Sequence, residues 1–398
     1  MTTPPDQIPD DFALAAQATP LASVIEAEIE AADGHITFER YMALTLGHPE
    51  HGYYSRELVA WGADGDYETS PEVHSIFGYL WARQLEQCWD LLDRPDRFDI
   101  VEPGAGSGRF AVDLLTWLRE RAPKCFAATR MTLLDGHPRR ATQQRVLLEG
   151  AGFSAEYATV KDWIGSSESL TGVLISNEFF DALPVHIVER RDETLHEWYV
   201  RSREGSDEAG GFAFELGPAS TPALAAYFKR LGLQPGEGCR AEVSLVAPEL
   251  FGRLTARLDR GYAITIDYGK AADDLYASWR RMGTLMAFRD HSPQPDPLAS
   301  PGLLDLTAHI DLTSLAAAAE GFASVPPVAQ AEALTALGIG DALTAARERA
   351  SEDVARFATD RRAAETLLDP AELGRIRVLV QAKGATLDDL HCLRPVTT

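Results

Sequence analysis

Short apolar runs alternate along this chain with stretches whose apolar positions recur at helical spacing. Residues 98–101, 131–135, 172–176, 261–269 and 376–380 are such runs and read as strands. Strands buried on both faces need nearly continuous apolar sequence, and helices between them predict a mostly parallel sheet covered on both sides. A helical period follows the first run at once, in Phe110, Val112, Leu114, Leu115, Trp117 and Leu118. Residues 36–44 share that period. Ser70-Pro71-Glu72 reads as a helix start, with a cap, a proline in the first turn and an acid near the positive end of the helix dipole; that helix is expected to run through Trp89. Two regions break the alternation. Residues 188–214 alternate apolar and charged positions and predict a β-ribbon, whereas 222–258 read as helices. Residues 341–368, rich in Ala, Arg and Glu, read as solvated helix.

The expected fold class is therefore α/β: a Rossmann-like, mostly parallel sheet with helices on both faces, a helical N-terminal extension and an inserted β-ribbon and helical cap. The expected divisions are an extension over 1–95 that carries a glycine-rich lid, a first part of the nucleotide-binding core over 96–200, an inserted cap over 201–258, and the rest of the core with C-terminal helices over 259–398.

Composition narrows the partners. A chain of 398 residues, 45% hydrophobic, can build a sizeable core. Its net charge of −23 argues against a nucleic-acid partner, which selects for a basic face. The four cysteines, Cys88, Cys125, Cys239 and Cys392, are scattered, which fits a reducing compartment and gives no metal-ligand spacing. No apolar run is long enough to span a membrane. The first basic residue is Arg40, so the sequence shows neither a secretory signal nor an arginine-rich transit peptide. These features predict a cytoplasmic, bacterial protein.

The strongest chemical signal is the stretch Asp99-Ile100-Val101-Glu102-Pro103-Gly104-Ala105-Gly106-Ser107-Gly108-Arg109. An apolar strand ends in a carboxylate and runs into three alternate glycines, and a helix follows. Glycines allow a tight turn and close approach of a ligand, and the helix N-terminus presents free N–H groups. A dinucleotide turn needs its third glycine three residues after the second, where Arg109 stands. The spacing Glu-x-Gly-x-Gly-x-Gly resembles motif I of the class I S-adenosylmethionine (SAM) methyltransferases. Glu102, Gly104, Ala105, Gly106 and Gly108 are then expected around the cofactor. Asp135 closes the second strand and is placed to accept bonds from ribose hydroxyls; capping the next helix is its other reading. The segment 62–73 is expected to fold over the cofactor as a lid, with Thr69 or Ser70 reaching it, although helix capping accounts for both residues as well.

A second constellation follows the strand that ends at Ser176. Asn177, Glu178, Phe179, Phe180 and Asp181 combine an amide acceptor, two acids and two aromatics. Carboxylates can hold a guanidinium fork and aim a nitrogen lone pair at a methyl group, while the aromatics shape a slot. Ordinary loop acids and core phenylalanines are the plainer alternative.

At this point the chain resembles the MidA-like family of SAM-dependent methyltransferases, whose mitochondrial member is a complex I assembly factor. The likeness rests on Thr69-Ser70-Pro71-Glu72-Val73 with Phe77-Gly78, on motif I, and on Asn177-Glu178-Phe179-Phe180-Asp181-Ala182-Leu183-Pro184. It continues through Asp267-Tyr268-Gly269, Thr284-Leu285 and His291, Asp305-Leu306-Thr307-Ala308-His309-Ile310-Asp311, then Gln330 and Leu337-Gly338-Ile339. It spans residues 36–339. Ala105 stands where the family usually has proline, and Asp135 where it usually has glutamate. Both changes keep the turn and the ribose acceptor.

The resemblance implies a SAM-dependent protein-arginine N-methyltransferase that acts on a partner protein such as a respiratory complex I subunit, and a homodimer is compatible with it. Asn177, Glu178 and Asp181 would be catalytic, Phe179, Phe180, Tyr268 and His291 substrate-binding, and no metal is required. Two further readings stay open. A small-molecule O- or N-methyltransferase would show a closed apolar pocket with no route for a peptide. A SAM-binding assembly chaperone would keep its biological function with Glu178 or Asp181 neutralised.

Overall fold

The computed structural model describes residues 18–55, 69–203, 211–349 and 354–395. The chain enters through helix α1 (Pro20–Ala31), a two-residue strand β1 (Ile36–Thr37) and α2 (Phe38–Gly47). The periodicity of 36–44 predicted helix throughout; Thr37 instead caps α2, its hydroxyl accepting the Arg40 N–H at 3.1 Å, and the extended residues before it pair with a second sheet. Of the lid expected over 62–73, residues 62–68 lie outside the described residues, and 69–73 are Thr69 at a helix N-cap and the short helix that follows it. The helix expected from Ser70 to Trp89 is two helices, α3 (Ser70–Val73) and α4 (Ile76–Leu91). His74 is extended, and its Nδ1 accepts the Ile76 N–H at 3.2 Å, so a local side-chain cap restarts the helix.

The core is an eight-stranded sheet. Strands β2 (Phe98–Pro103), β3 (Thr129–Leu134) and β4 (Glu156–Ala158) run outward from the centre, and β5 (Leu170–Asn177) pairs with the other edge of β2. Helices α5 (Arg109–Arg121), α6 (Pro123–Ala128) and α7 (Pro138–Gly150) make the first crossovers. Every residue of β2 is buried, which is why Phe98, Ile100 and Val101 are apolar; Asp99 and Glu102 are the two acids buried with them. One face packs α4 and α5 through Phe77, Trp81, Phe110 and Leu114. The other packs Trp163, Phe251, Leu254 and Leu315.

An all-antiparallel five-stranded sheet is inserted after β5. It comprises β6 (His186–Arg191), β7 (Thr194–Ser202), β8 (Phe212–Pro218), β9 (Arg240–Val243) and β1. The β-ribbon expected over 188–214 is present. The helical reading of 222–258 missed β9, whose pairing partner β6 lies about 50 residues upstream and leaves no local signal. The chain then rejoins the core as β10 (Leu258–Asp267), parallel to β5, and closes with Arg377–Lys383, antiparallel to β10.

At Gly172 the three central strands approach closely. A Cβ there would stand 1.9 Å from the Asp99 carbonyl oxygen, a backbone atom that cannot move aside cheaply. Gly172→Ala is expected to lower stability by about 3 kcal/mol, the upper part of the usual range for overpacking, read as a drop in the denaturation midpoint. An unchanged midpoint would show that the sheet relaxes around the methyl.

Candidate active site

The crevice lies where the sheet changes direction. From β2 the chain crosses to β3 on one side, and from β5 to β10 on the other, so the C-terminal ends of β2 and β5 diverge into a cavity. It measures about 750 Å³. Motif I supplies Glu102, Gly104, Ala105 and Gly106 to its wall, Asp135 follows directly on β3, the segment before α3 supplies Thr69, and the end of β5 and the turn after it supply Asn177, Glu178 and Phe179.

The glycine turn is left-handed at three positions, with φ of 70° at Gly104, 53° at Gly106 and 86° at Gly108. Branched residues resist this region. Gly104 has a second requirement: a Cβ would sit 2.5 Å from the Phe179 ring, so the absence of a side chain lets the acceptor turn pack on motif I. Gly108 opens α5 away from the cavity wall, packed on Gln144 and Leu148. Glu102 is buried, its Oε2 has no hydrogen-bond partner, and burial pushes its carboxyl well above the usual range. An unpartnered buried acid oxygen beside a cavity is costly unless a ligand donates to it.

Asp135 does more than either sequence reading required. Its Oδ1 accepts the His137 N–H at 3.1 Å and its Oδ2 the Gln144 Nε2–H at 3.1 Å, while Arg140 Nε stands 4.0 Å away. Gln144 also donates to the Gly106 carbonyl at 3.0 Å, tying the second strand to the glycine turn. The helix cap is His137 itself, whose Nδ1 accepts the Arg139 N–H. Both Asp135 oxygens retain acceptor capacity toward the cavity.

The acceptor turn is held in an uncommon conformation. Glu178 has φ of 47°, and its N–H bonds to the Ile266 carbonyl at 2.8 Å. Asp267, at the end of β10, accepts the Phe179 and Phe180 amides on one oxygen, at 3.1 and 2.8 Å. Glu178 Oε1 accepts from Asn177 Nδ2 at 2.8 Å and from the Ser70 N–H at 3.2 Å, while Asn177 Oδ1 has no partner. Asp181 lies behind, accepting the Thr307 hydroxyl at 3.0 Å. Burial, and after it the Asp181 charge, pushes the Glu178 carboxyl up to about 8. Glu178 still lines the cavity, but the protein packed about it outweighs that contact with solvent. Burial raises Asp181 to about 6 and Asp267 well above its ordinary range, Asp181 adding to the latter. Among the described ion pairs none involves these three acids, so the cluster is short of positive charge.

Several expected residues are not on the wall. Ser70 is fully buried beneath it, Phe180 is core, and Asp181 is reached only through its neighbours. Tyr268 stacks on the His309 ring at 6.0 Å. His291 is exposed: Asp290 and His291, with φ of 50° and 59°, form the two-residue turn of a hairpin between Met286–Arg289 and Ser292–Pro293. A turn function, rather than substrate contact, accounts for His291. Conversely, the sequence reading placed Glu72 only as a first-turn acid and gave no site role to Tyr54, Arg140 or Asp267. Asp267 had a signal, since it ends an apolar strand in an acid as Glu102 does. Tyr54 had none: it reaches the site because its carbonyl accepts the Arg140 guanidinium at 2.9 Å and its hydroxyl bonds Asp305 at 3.1 Å.

Comparison with known proteins bears on this geometry. Residues 80–327 match the family model described as "Putative S-adenosyl-L-methionine-dependent methyltransferase". The Drosophila melanogaster "Protein arginine methyltransferase NDUFAF7 homolog, mitochondrial" is 32% identical over 313 residues, 73% of this chain and 68% of that one. The Homo sapiens "Protein arginine methyltransferase NDUFAF7, mitochondrial" is 30% identical over 81% of this chain and 74% of its own length. A crystal structure of a Burkholderia thailandensis protein bound to S-adenosyl-homocysteine superposes with a TM-score of 0.82 at 29% identity, covering 94% of each chain. The cytoplasmic placement expected from the sequence is overturned by these names, which describe the relatives as mitochondrial. That expectation rested on scattered cysteines, the lack of a membrane-length apolar run and the late first basic residue, none of which distinguishes one reducing compartment from another, and neither fold nor site carries information on compartment. No helix among the described residues is long and apolar enough to cross a membrane.

Proposed function

This chain belongs to the family of S-adenosyl-L-methionine-dependent methyltransferases, and from that premise we propose that it methylates an arginine side chain of a partner protein. The observation that carries the reading is the cation-poor cluster of Glu178 and Asp181, on the turn that packs against Gly104, with Asp267 at the end of β10 behind them, so that cofactor and acceptor groups share one cavity. The names of the relatives, protein arginine methyltransferases, point the same way.

The residues fit SAM. Glu102 Oε2 offers a partner to its ammonium, Gly104 and Gly106 admit close approach, and Asp135 faces the cavity with capacity for ribose hydroxyls. Bound SAM supplies an electrophilic methyl group on a sulfonium, which leaves as a neutral thioether. What the chain adds is alignment and charge. Ionised Glu178 holds one edge of the guanidinium and Asn177 Oδ1 accepts a further N–H, which directs the remaining nitrogen at the methyl. A guanidinium and its methylated product carry the same charge, so the transfer frees one proton. Glu178, with its raised proton affinity, accepts it. Phe179 forms the side of the slot next to motif I.

Mass spectrometry of proteins from cells with and without this gene tests the reading, and the resemblance directs the search first to respiratory complex I subunits. A methyl mass on arginine present only with the gene is the expected result. If arginine methylation is unchanged and a small metabolite loses its methyl, a small-molecule acceptor is the better reading. The apolar outer wall of Ala43, Leu46, Pro49, Leu183 and Pro184 is the observation on that side.

A further inference from the structure

Two residues outside the segment that matches the methyltransferase family model converge on Glu178. Ser70 precedes that segment and Gln330 follows it. Both are fully buried. The Ser70 hydroxyl donates to Gln330 Oε1 at 3.1 Å, while its backbone N–H donates to Glu178 Oε1 at 3.2 Å. The Gln330 amide cannot swivel freely, because its Nε2 donates to the Leu373 and Leu367 carbonyls at 3.1 and 3.4 Å and its own N–H to the Ile376 carbonyl at 2.7 Å. These donations also fix which end of the amide faces Ser70. The same short helix α3 reaches motif I, where Glu72 accepts the Ser107 hydroxyl.

We propose that Ser70 and Gln330 are positioning residues for the Glu178 carboxylate, and that Ser70 is not a cofactor contact. The inference rests on the reading of Glu178 as the group that orients the acceptor. The physical argument is one of angular freedom. Glu178 sits in a left-handed backbone conformation with two donors on one oxygen, Asn177 Nδ2 and the Ser70 N–H. The first comes from its own turn and moves with it. The second comes from a different part of the chain, and Gln330 holds that part against the core. Without this anchor the carboxylate keeps only its local donor, and its second oxygen is no longer aimed at one place in the cavity. A lost donor also disfavours the ionised form.

Ser70→Ala removes the hydroxyl anchor and leaves the backbone donor chemically present. Gln330→Leu removes the acceptor with little change of volume. Methyl transfer from tritiated SAM to proteins of an extract from cells lacking the gene should fall about tenfold in Ser70→Ala, with SAM and S-adenosyl-homocysteine affinity by calorimetry within about twofold of wild type. The acid limb of the pH–rate profile should move to higher pH. An infrared difference titration of the Glu178 carboxyl, assigned with Glu178→Gln, should show the same upward shift by about one unit. The double variant Ser70→Ala/Gln330→Leu should be no worse than the more damaging single change, since both break one bond. A loss of SAM affinity in Ser70→Ala, or an unshifted Glu178 titration, overturns the proposal. A Glu178→Gln control separates the two failures. If that control retains wild-type turnover, the reading of Glu178 itself fails. If it is slow while Ser70→Ala and Gln330→Leu are fast, only the positioning role fails. Should Gln330→Leu not fold, Ser70→Ala carries the test alone, because it deletes one hydroxyl and disturbs no backbone bond.

Discussion

Glu178→Gln leaves SAM binding nearly unchanged and slows methyl transfer by about 30- to 1,000-fold, about 2–4 kcal/mol of barrier, as expected when one preorganised electrostatic contact is lost. The substitution keeps the shape of the side chain and its bonds from Asn177 and Ser70 on a carbonyl oxygen, and removes only the charge. The pH dependence follows from the same group. Burial and then Asp181 hold the wild-type carboxyl near 8 against an ordinary value of 4.5, so the ionised form that holds a guanidinium accumulates as pH rises through about 8. The wild-type rate at subsaturating acceptor should climb over that range, and the variant's should lack that limb. Stability gives an independent check. A carboxyl whose folded value is raised contributes stability that is complete below 4.5 and is lost as pH rises through 8. The ligand-free wild type should therefore be less stable than Glu178→Gln by a few kcal/mol above pH 8, and the gap should close toward pH 4.5. Equal turnover in the two proteins would remove Glu178 from the acceptor site and raise the small-molecule and chaperone readings together.

Gly104→Ala is the change expected to abolish cofactor binding and transfer at once. A non-glycine residue at φ of 70° costs about 1–2 kcal/mol of backbone strain. The added methyl also lands 2.5 Å from the Phe179 ring. That ring packs edge-on against Phe180, which packs in turn on Phe251 in the core, so it can give way only into the cavity that cofactor and acceptor would occupy. Overpacking of this kind adds about 1–3 kcal/mol. Calorimetry with S-adenosyl-homocysteine should show at least a hundredfold loss of affinity, with NADH binding to neither protein as the control against a dinucleotide site. Circular dichroism would confirm that the sheet persists. Wild-type affinity in a folded Gly104→Ala would show that the turn does not carry the cofactor.

Local sequence determined the elements that are regular and the groups that sit at their ends. The runs at 98–101, 131–135, 172–176 and 261–269 were legible because strands buried on both faces tolerate little but apolar residues. The glycine turn was legible because left-handed backbone at three alternate positions leaves few other residue types. Asp135 was legible as a strand-terminal acid, and Asn177 to Phe179 as a polar-aromatic turn at another strand end. What the sequence did not show is whatever depends on pairing between distant parts of the chain. Strand β9 exists because β6 offers it an edge, and β1 because Val200 and Tyr199 do. The break at His74 depends on one side-chain bond. The placement of His291 at a hairpin tip, and of Ser70 beneath the cavity rather than on it, could not be read from a motif, since a motif records which residues recur and not which way they face. The proton affinity of Glu178 likewise belongs to the tertiary structure. A glutamate in a loop is ordinary in sequence; packed beside Asp181 and away from any cation, it becomes a different acid. Burial and long-range contact, which set that difference, are properties of the folded chain and have no representation in its order of residues.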